Sequence, residues 1–314
     1  MSNSVITIQG CWAFVLNQID IDAELPFAFT EDCSIHKATD EQTQQIKKIL
    51  SEKVGSSGWC QPTQFYEYDA VRDGASTSLN QLPATEWRYY VVSTCDNGHT
   101  NNNLHMASNI SAAPLEISAL IFYLKAGFGW RSGILQRNFD QFPMPVSHIG
   151  KEDLLDIAEV YQSYITFDKE AFPEITRAMN MFDSLSFLQK NSTFHVLGLF
   201  AIIEMLITHN PKLEDRGDSI THQMQSKIPL LSRRFQEKLD YPFYFQDGSE
   251  KKVWSALYKY RSAMAHGGVS DFASSELRIL KDANNADAFL REVVKRLLRH
   301  SLKEPQLYRD LRNC

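Results

Sequence analysis

Hydrophobic positions recur with two different periods along this chain, and the change falls near residue 150. Before it, Val5 to Leu16 and Glu86 to Thr94 are dense in β-branched and aromatic residues, the pattern of strands. Between them, Asp40 to Lys53 has helical spacing behind an aspartate placed as a cap. Glycine, serine and asparagine cluster at 55–58, 73–80 and 96–103, which predicts loops. The apolar segment 114–127 reads equally as a buried helix or a strand. Gly127, Gly129 and Gly133 then resemble a dinucleotide-binding loop with one residue too many. No well-placed acidic residue follows, so the spacing predicts a turn.

Beyond 142–150, where two prolines and a glycine interrupt regular structure, helical spacing takes over. Leu154, Ile157, Ala158, Tyr161 and Ile165 share one face of a first helix. Residues 171–190 give a second, with Pro173 in its first turn and Ala178, Phe182, Leu185 and Leu188 inward. Residues 191–208 are apolar nearly all round, as in the central helix of a bundle. Residues 219–239 put Met224, Ile228, Leu231 and Phe235 inward, with a kink at Pro229; 251–265 end on Gly267 and Gly268, placed as a C-cap; 286–302 close the series. The expected class is α+β with two domains: a mixed α/β domain over 1–148, then an all-α helical bundle over 149–314.

A length of 314 residues supports two ordinary domains. The longest apolar run, Phe194 to Thr208, falls short of the roughly 20 residues a membrane span needs. It also contains His195 and Glu204, so it is expected as a core helix with no membrane role. The N-terminus shows no basic-then-apolar leader, and Cys11, Cys33, Cys60, Cys95 and Cys314 include no CxxC pair. The expected setting is the cytoplasm, with thiols rather than a disulfide framework. Cys33, His36, Cys95 and His99 are zinc-ligand types, but they fall in irregular polar sequence, which favours thiols placed for packing. The net charge of −6 is uneven: Lys227 to Lys303 holds 15 basic residues against 9 acidic ones. A polyanion is therefore expected to meet the second half.

Serine-hydrolase elbows, phosphate-binding Walker loops, HExxH and paired zinc CxxC motifs are absent. What remains is Arg261 followed five residues later by His266, in SALYKYRSAMAHGG. Spacing alone decides nothing, because a second such pair, Arg216 and His222, also occurs. Context separates them. The first pair closes a helix bearing Val253, Trp254, Leu257 and Tyr258, whereas Arg216 lies in a polar connection.

The run Tyr258-x-x-Arg261-Ser262-x-x-x-His266-Gly267-Gly268 resembles the HEPN superfamily, and within it the ApeA-like branch. Glu204 in FAIIEMLIT, LLSRRF at 230–235 and the closing helix AFLREVVKRLLRHSL agree with that resemblance, which spans about 151–305. Ser262 departs from the Asn, Asp or His that many HEPN nucleases place there. The resemblance implies a metal-independent endoribonuclease that uses no cofactor and acts as a homodimer, its two motifs lining one cleft. It further implies a prokaryotic role in antiphage defence or as a toxin, on tRNA or mRNA, answering to a phage-derived trigger or an antitoxin.

The residue chemistry fits that implication. Attack by a neighbouring 2′-OH needs a proton carrier, which a histidine titrating near neutrality can be. It also needs a lasting cation at the phosphorane, which the planar arginine fork provides. Residues five apart on an ideal helix point about 140° from each other. Arg261 and His266 therefore converge only if the helix ends at His266. Tyr258 and Tyr260 are read as packing residues able to stack on a base, Glu204 as the structural partner of Arg234, and His195 and His209 as core and helix-end residues. The competing reading is a non-catalytic HEPN module for dimerisation or for binding RNA or protein, with Arg261 as an ordinary helix-end arginine.

Overall fold

The computed structural model describes residues 10–53, 61–73, 76–95, 99–123, 127–130, 146–209, 219–246, 248–268 and 270–313. The chain divides into two compact units, Met1–Ile165 and Thr166–Cys314.

The first unit is built on strands β1 (Cys11–Phe14), β2 (Ile19–Asp22), β3 (Phe27–Thr30) and β4 (Cys33–Lys37), then helices α1 (Asp40–Lys53) and α2 (Gln64–Glu67). There follow β5 (Tyr68–Asp73), β6 (Ser76–Gln81), β7 (Tyr90–Thr94), α3 (His99–Asn109), β8 (Leu120–Tyr123), β9 (Gly127–Trp130), β10 (Ser147–Gly150) and α4 (Lys151–Thr166). Six strands form an antiparallel sheet in the order β3-β4-β7-β1-β8-β9, while β10 pairs in parallel with β2 and β5 pairs with β6 as a hairpin. All four residues of β1 are buried, so both faces of the sheet are covered and the strand reads as a continuous apolar run. Trp12, Phe14, Val91, Leu120 and Phe122 meet Ile46, Ile49 and Leu50 of α1, and Trp12 stacks on Phe122 with ring centroids 3.9 Å apart. Helix α3 packs against β7.

Several expectations change here. Within the ambiguous segment 114–127, Leu120–Tyr123 form strand β8, and Gly127–Trp130, expected in a turn reaching Gly133, pair with it as a strand; residues 131–133 lie outside the described ones. Asn101 and its neighbours, expected in a loop, lie in α3, and most of 73–80 belongs to a hairpin. In each case pairing or packing against the sheet overrides a weak local preference. Helix α4, expected in the second unit, falls in the first. It follows β10 without a linker, Asp156 Oδ2 accepts from Ala112 N at 3.0 Å, and Leu154, Ile157, Val160, Tyr161 and Tyr164 are buried, whereas Ile165 is exposed.

The regular elements of the second unit are helices, with no strand among its described residues: α5 (Pro173–Leu185), α6 (Thr193–Ile207), α7 (Ile220–Ser232), the short α8 (Tyr241–Phe245), α9 (Glu250–Ala265), α10 (Ala283–Lys303) and α11 (Pro305–Asn313). Helix α6 starts behind Ser192, whose side chain accepts from His195 N, and packs against α5, α7, α9, α10 and α11. Val196, Leu199, Phe200, Ile202, Ile203, Leu206 and Ile207 are fully enclosed, each worth about 1.5–3 kcal/mol of burial. At Gly198 a Cβ would collide with the Leu185 side chain, so glycine allows α5 and α6 to approach closely. Helix α5 ends at Leu185, five residues short of the predicted end, leaving Leu188 in an exposed turn. Among the described residues no helix is long and apolar enough to cross a membrane.

Helix α11, which the periodicity did not reveal, is tied down through His300. Its Nδ1 lies 3.1 Å from Tyr308 Oη, and Phe235 meets the ring edge-on. Burial pushes the His300 imidazole below its ordinary value of 6.5, against the opposing pull of Glu304. A value depressed by folding gives stability that is present above 6.5 and lost as pH falls through the folded value. The thermal midpoint should therefore drop as the buffer is acidified below about 6.5, and His300→Gln should flatten that slope. Equal slopes in the two proteins would remove His300 as the cause.

Candidate functional site

Helix α9 turns Val253, Trp254, Ala256, Leu257 and Tyr260 into the bundle. Trp254 Nε1 donates to Tyr241 Oη at 2.8 Å, and Tyr260 meets Phe272 edge-on at 5.2 Å. With that face buried, helical spacing leaves Tyr258, Arg261 and Ser262 on a half-buried flank.

The Arg261 guanidinium is turned toward α6. Its Nε lies 3.3 Å from Glu204 Oε1, and Nη2 donates to Glu204 Oε2 at 3.5 Å. The guanidinium carbon lies 5.8 Å from the Tyr258 ring centroid. The two charged side chains keep 31% and 19% of their surface open, so the pair can be reached from solvent. The expected pairing of Glu204 with Arg234 does not form: Arg234 Nη2 donates to Glu304 Oε2 at 2.6 Å. Helix α7 stops at Ser232, and Arg234 lies beyond it on the exposed surface, whereas Glu204 sits within the bundle beside α9.

His266 is the C-cap of α9, its backbone N bonded to Ser262 O at 3.2 Å. Gly267 follows with φ +69°, which an L side chain adopts only with strain. Gly267 N donates to Met264 O at 3.3 Å and Gly268 N to Ala263 O at 2.8 Å, the paired bonds of a Schellman cap. The helix therefore ends where the glycines predict. The His266 ring is exposed and makes no hydrogen bond or ion pair among the described residues. The structure does not bring Arg261 and His266 into contact. Five residues of helix separate them by about 7.5 Å along the axis and about 140° around it. One chain thus presents a cation steadied by a carboxylate and, separately, an open imidazole.

Of the remaining candidates, Arg216 lies outside the described residues, and His222 is exposed in the first turn of α7, its N donating to Ser219 Oγ at 3.2 Å. His209 N donates to Gln223 Oε1 at 2.9 Å, consistent with a helix-end position. His195 is in the core, but its partner was missed: His195 Nδ1 lies 2.6 Å from Asp287 Oδ1, with 1% and 4% of the side chains exposed. The available signal was the position of Asp287 on the apolar stripe of α10, with Leu290, Val294, Leu297 and Ser301. Of the zinc-ligand types, Cys33 is buried in β4, and His36 uses both ring nitrogens, on Lys37 O and Ser93 Oγ, each at 2.8 Å. Among the described residues, no three His, Cys, Asp or Glu are grouped to hold a metal ion.

The chain matches no family model, no curated protein and no solved structure.

Two measurements follow from this geometry. Burial pushes the Glu204 carboxyl above its ordinary value of 4.5, and Arg261 partly opposes the shift. A value raised by folding means stability that is present below 4.5 and lost as pH rises through the folded value. Glu204→Gln should therefore gain on the wild type in thermal midpoint as pH is raised from about 4 towards 7, and a difference that stays flat would overturn the assignment. Gly267→Ala should lower stability by about 1 kcal/mol in a denaturant titration, because the left-handed cap is strained for alanine.

Proposed function

We propose that the helical unit is a HEPN-type, ApeA-like endoribonuclease that cleaves RNA by 2′-OH attack without a metal ion. Arg261 is the phosphate clamp and His266 the proton carrier. The observation that carries the reading is the end of α9: His266 open to solvent at a glycine-terminated cap, one and a half turns beyond a half-exposed Arg261. Glu204 orients the guanidinium, and a phosphate approaching Arg261 shares or replaces that carboxylate. Ser262 and Tyr258 flank the cation, while Arg234 lies outside the arrangement.

Because Arg261 and His266 point apart on one helix, a composite site needs a second chain. Two copies related by a two-fold axis would place the arginine of one beside the histidine of the other. Charge favours the same unit for a polyanion: residues 166–314 hold 22 Lys and Arg against 19 Asp and Glu, whereas residues 1–165 hold 10 against 19. A role in antiphage defence or as a toxin follows from the resemblance, with the acidic first unit as sensor or restraint. The competing reading, a non-catalytic RNA- or protein-binding module, is favoured by the neutralisation of Arg261 by Glu204.

Incubation of the purified chain with total tRNA and mRNA in EDTA separates the two. The expected result is cleavage leaving 2′,3′-cyclic phosphate ends, reduced about 10²- to 10⁴-fold in His266→Ala and lost in Arg261→Ala. Mixing those two inactive variants should restore part of the activity if the site is shared between chains. Cleavage that depends on a divalent ion, or wild-type rates in His266→Ala, would overturn the mechanism.

A further inference from the structure

The turn after α5 and the first residues of α6 display two aromatic rings that the catalytic reading does not use. Phe194 is 75% exposed and Phe187 56%, the former being the most exposed large apolar side chain among the described residues. The turn touches the motif helix, because Thr193 Oγ1 lies 4.0 Å from Met264 Sδ, two residues before His266.

The mount of Phe194 is rigid. Asn191 takes a left-handed φ of +65° and hydrogen-bonds to Asn284, Ser192 caps α6, and the buried His195–Asp287 pair fixes the next residue to α10. A ring held this way loses little entropy when it is covered. The polar surroundings indicate what covers it. Leu188, Gln189, Lys190, Asn191, Ser192 and Thr193 separate the two rings in sequence; all but Leu188, 39% exposed, are polar, so a cation and amides edge the flat faces. The core of a protein interface is contiguous and depleted of charge. Single-stranded nucleic acid, by contrast, is held by aromatic faces interleaved with cations, because every base has a π-face and every linkage a negative charge.

We propose that Phe194, with Phe187 and Lys190 close to it in sequence, is a stacking platform for an unpaired base of the RNA strand whose phosphate is held at Arg261. The assignment rests on the nuclease reading and deepens it: the substrate is single-stranded at the cut, and the platform sets where the strand lies.

The test measures affinity of the full chain, in a His266→Ala background that prevents cleavage, for a fluorescent 12-nucleotide single strand and for its duplex. Phe194→Ala and Phe194→Leu should each weaken single-strand binding about 5- to 150-fold, the range one stacked base supplies, and leave duplex binding unchanged. Phe194→Trp should bind as well as the phenylalanine. Wild-type affinity in Phe194→Leu would overturn the platform, since leucine keeps the apolar surface and lacks the flat face. So would conversion of a dimer to a monomer by Phe194→Leu in sedimentation, which would assign the ring to a second copy. A background protein that binds neither strand overturns the nuclease reading and the platform together, whereas RNA cleavage unchanged by Phe194→Leu overturns the platform alone.

Discussion

Helix α6 is apolar on almost every side, so each ionisable group it carries must find a partner inside the bundle. An unpaired ion there would cost several kcal/mol. It carries two such groups. His195 near its start pairs with Asp287 of α10, and Glu204 near its end pairs with Arg261 of α9. These two polar ties supply direction that apolar packing lacks, because a hydrophobic face accepts many small rotations of its neighbour and a directed polar contact accepts few. The register of α9 and α10 on the central helix therefore depends on them.

The second tie has a chemical consequence. The guanidinium of Arg261 is held against Glu204, and 31% of the side chain remains open. On the proposed reading, a phosphate would meet a cation whose side-chain entropy is already spent. The cost is competition with Glu204, whose burial already disfavours its ionised form. Exchanging one anion for another at a preformed cation is a smaller step than desolvating a free arginine. His266 is governed by the opposite condition. The reversal of the chain at Gly267 leaves the ring exposed at the end of α9.

The first unit is organised by different physics. Its sheet is covered on both faces, and buried polar groups there serve the fold: Arg88, only 5% exposed, joins Asp20 of β2 and Asp69 of β5. Glu67 accepts from Tyr89 Oη at 2.7 Å and pairs with Lys47, which lies over the Trp87 ring at 3.8 Å. These groups tie strands and α1 together.

Local chemistry made the helices legible. Asp40 to Lys53, the apolar run of α6 and the glycine stop after His266 declared themselves because periodicity and positive φ act over a few residues, although Thr39, whose Oγ1 accepts from Gln42 N, caps the first of these helices in place of the expected Asp40. The sequence alone also marked Arg261 and His266, since their context on a terminating helix differs from that of Arg216 and His222. Strand partners were not legible: β2, β3, β9 and the β5–β6 hairpin are stabilised by neighbours distant in sequence. The same holds for the choice of ion partner. Glu204 needed a cation, and both Arg234 and Arg261 were on offer. Only the packing of α9 against α6, with α7 ending at Ser232, decided between them, because an ion pair is set by where helices cross and not by how residues are spaced along them.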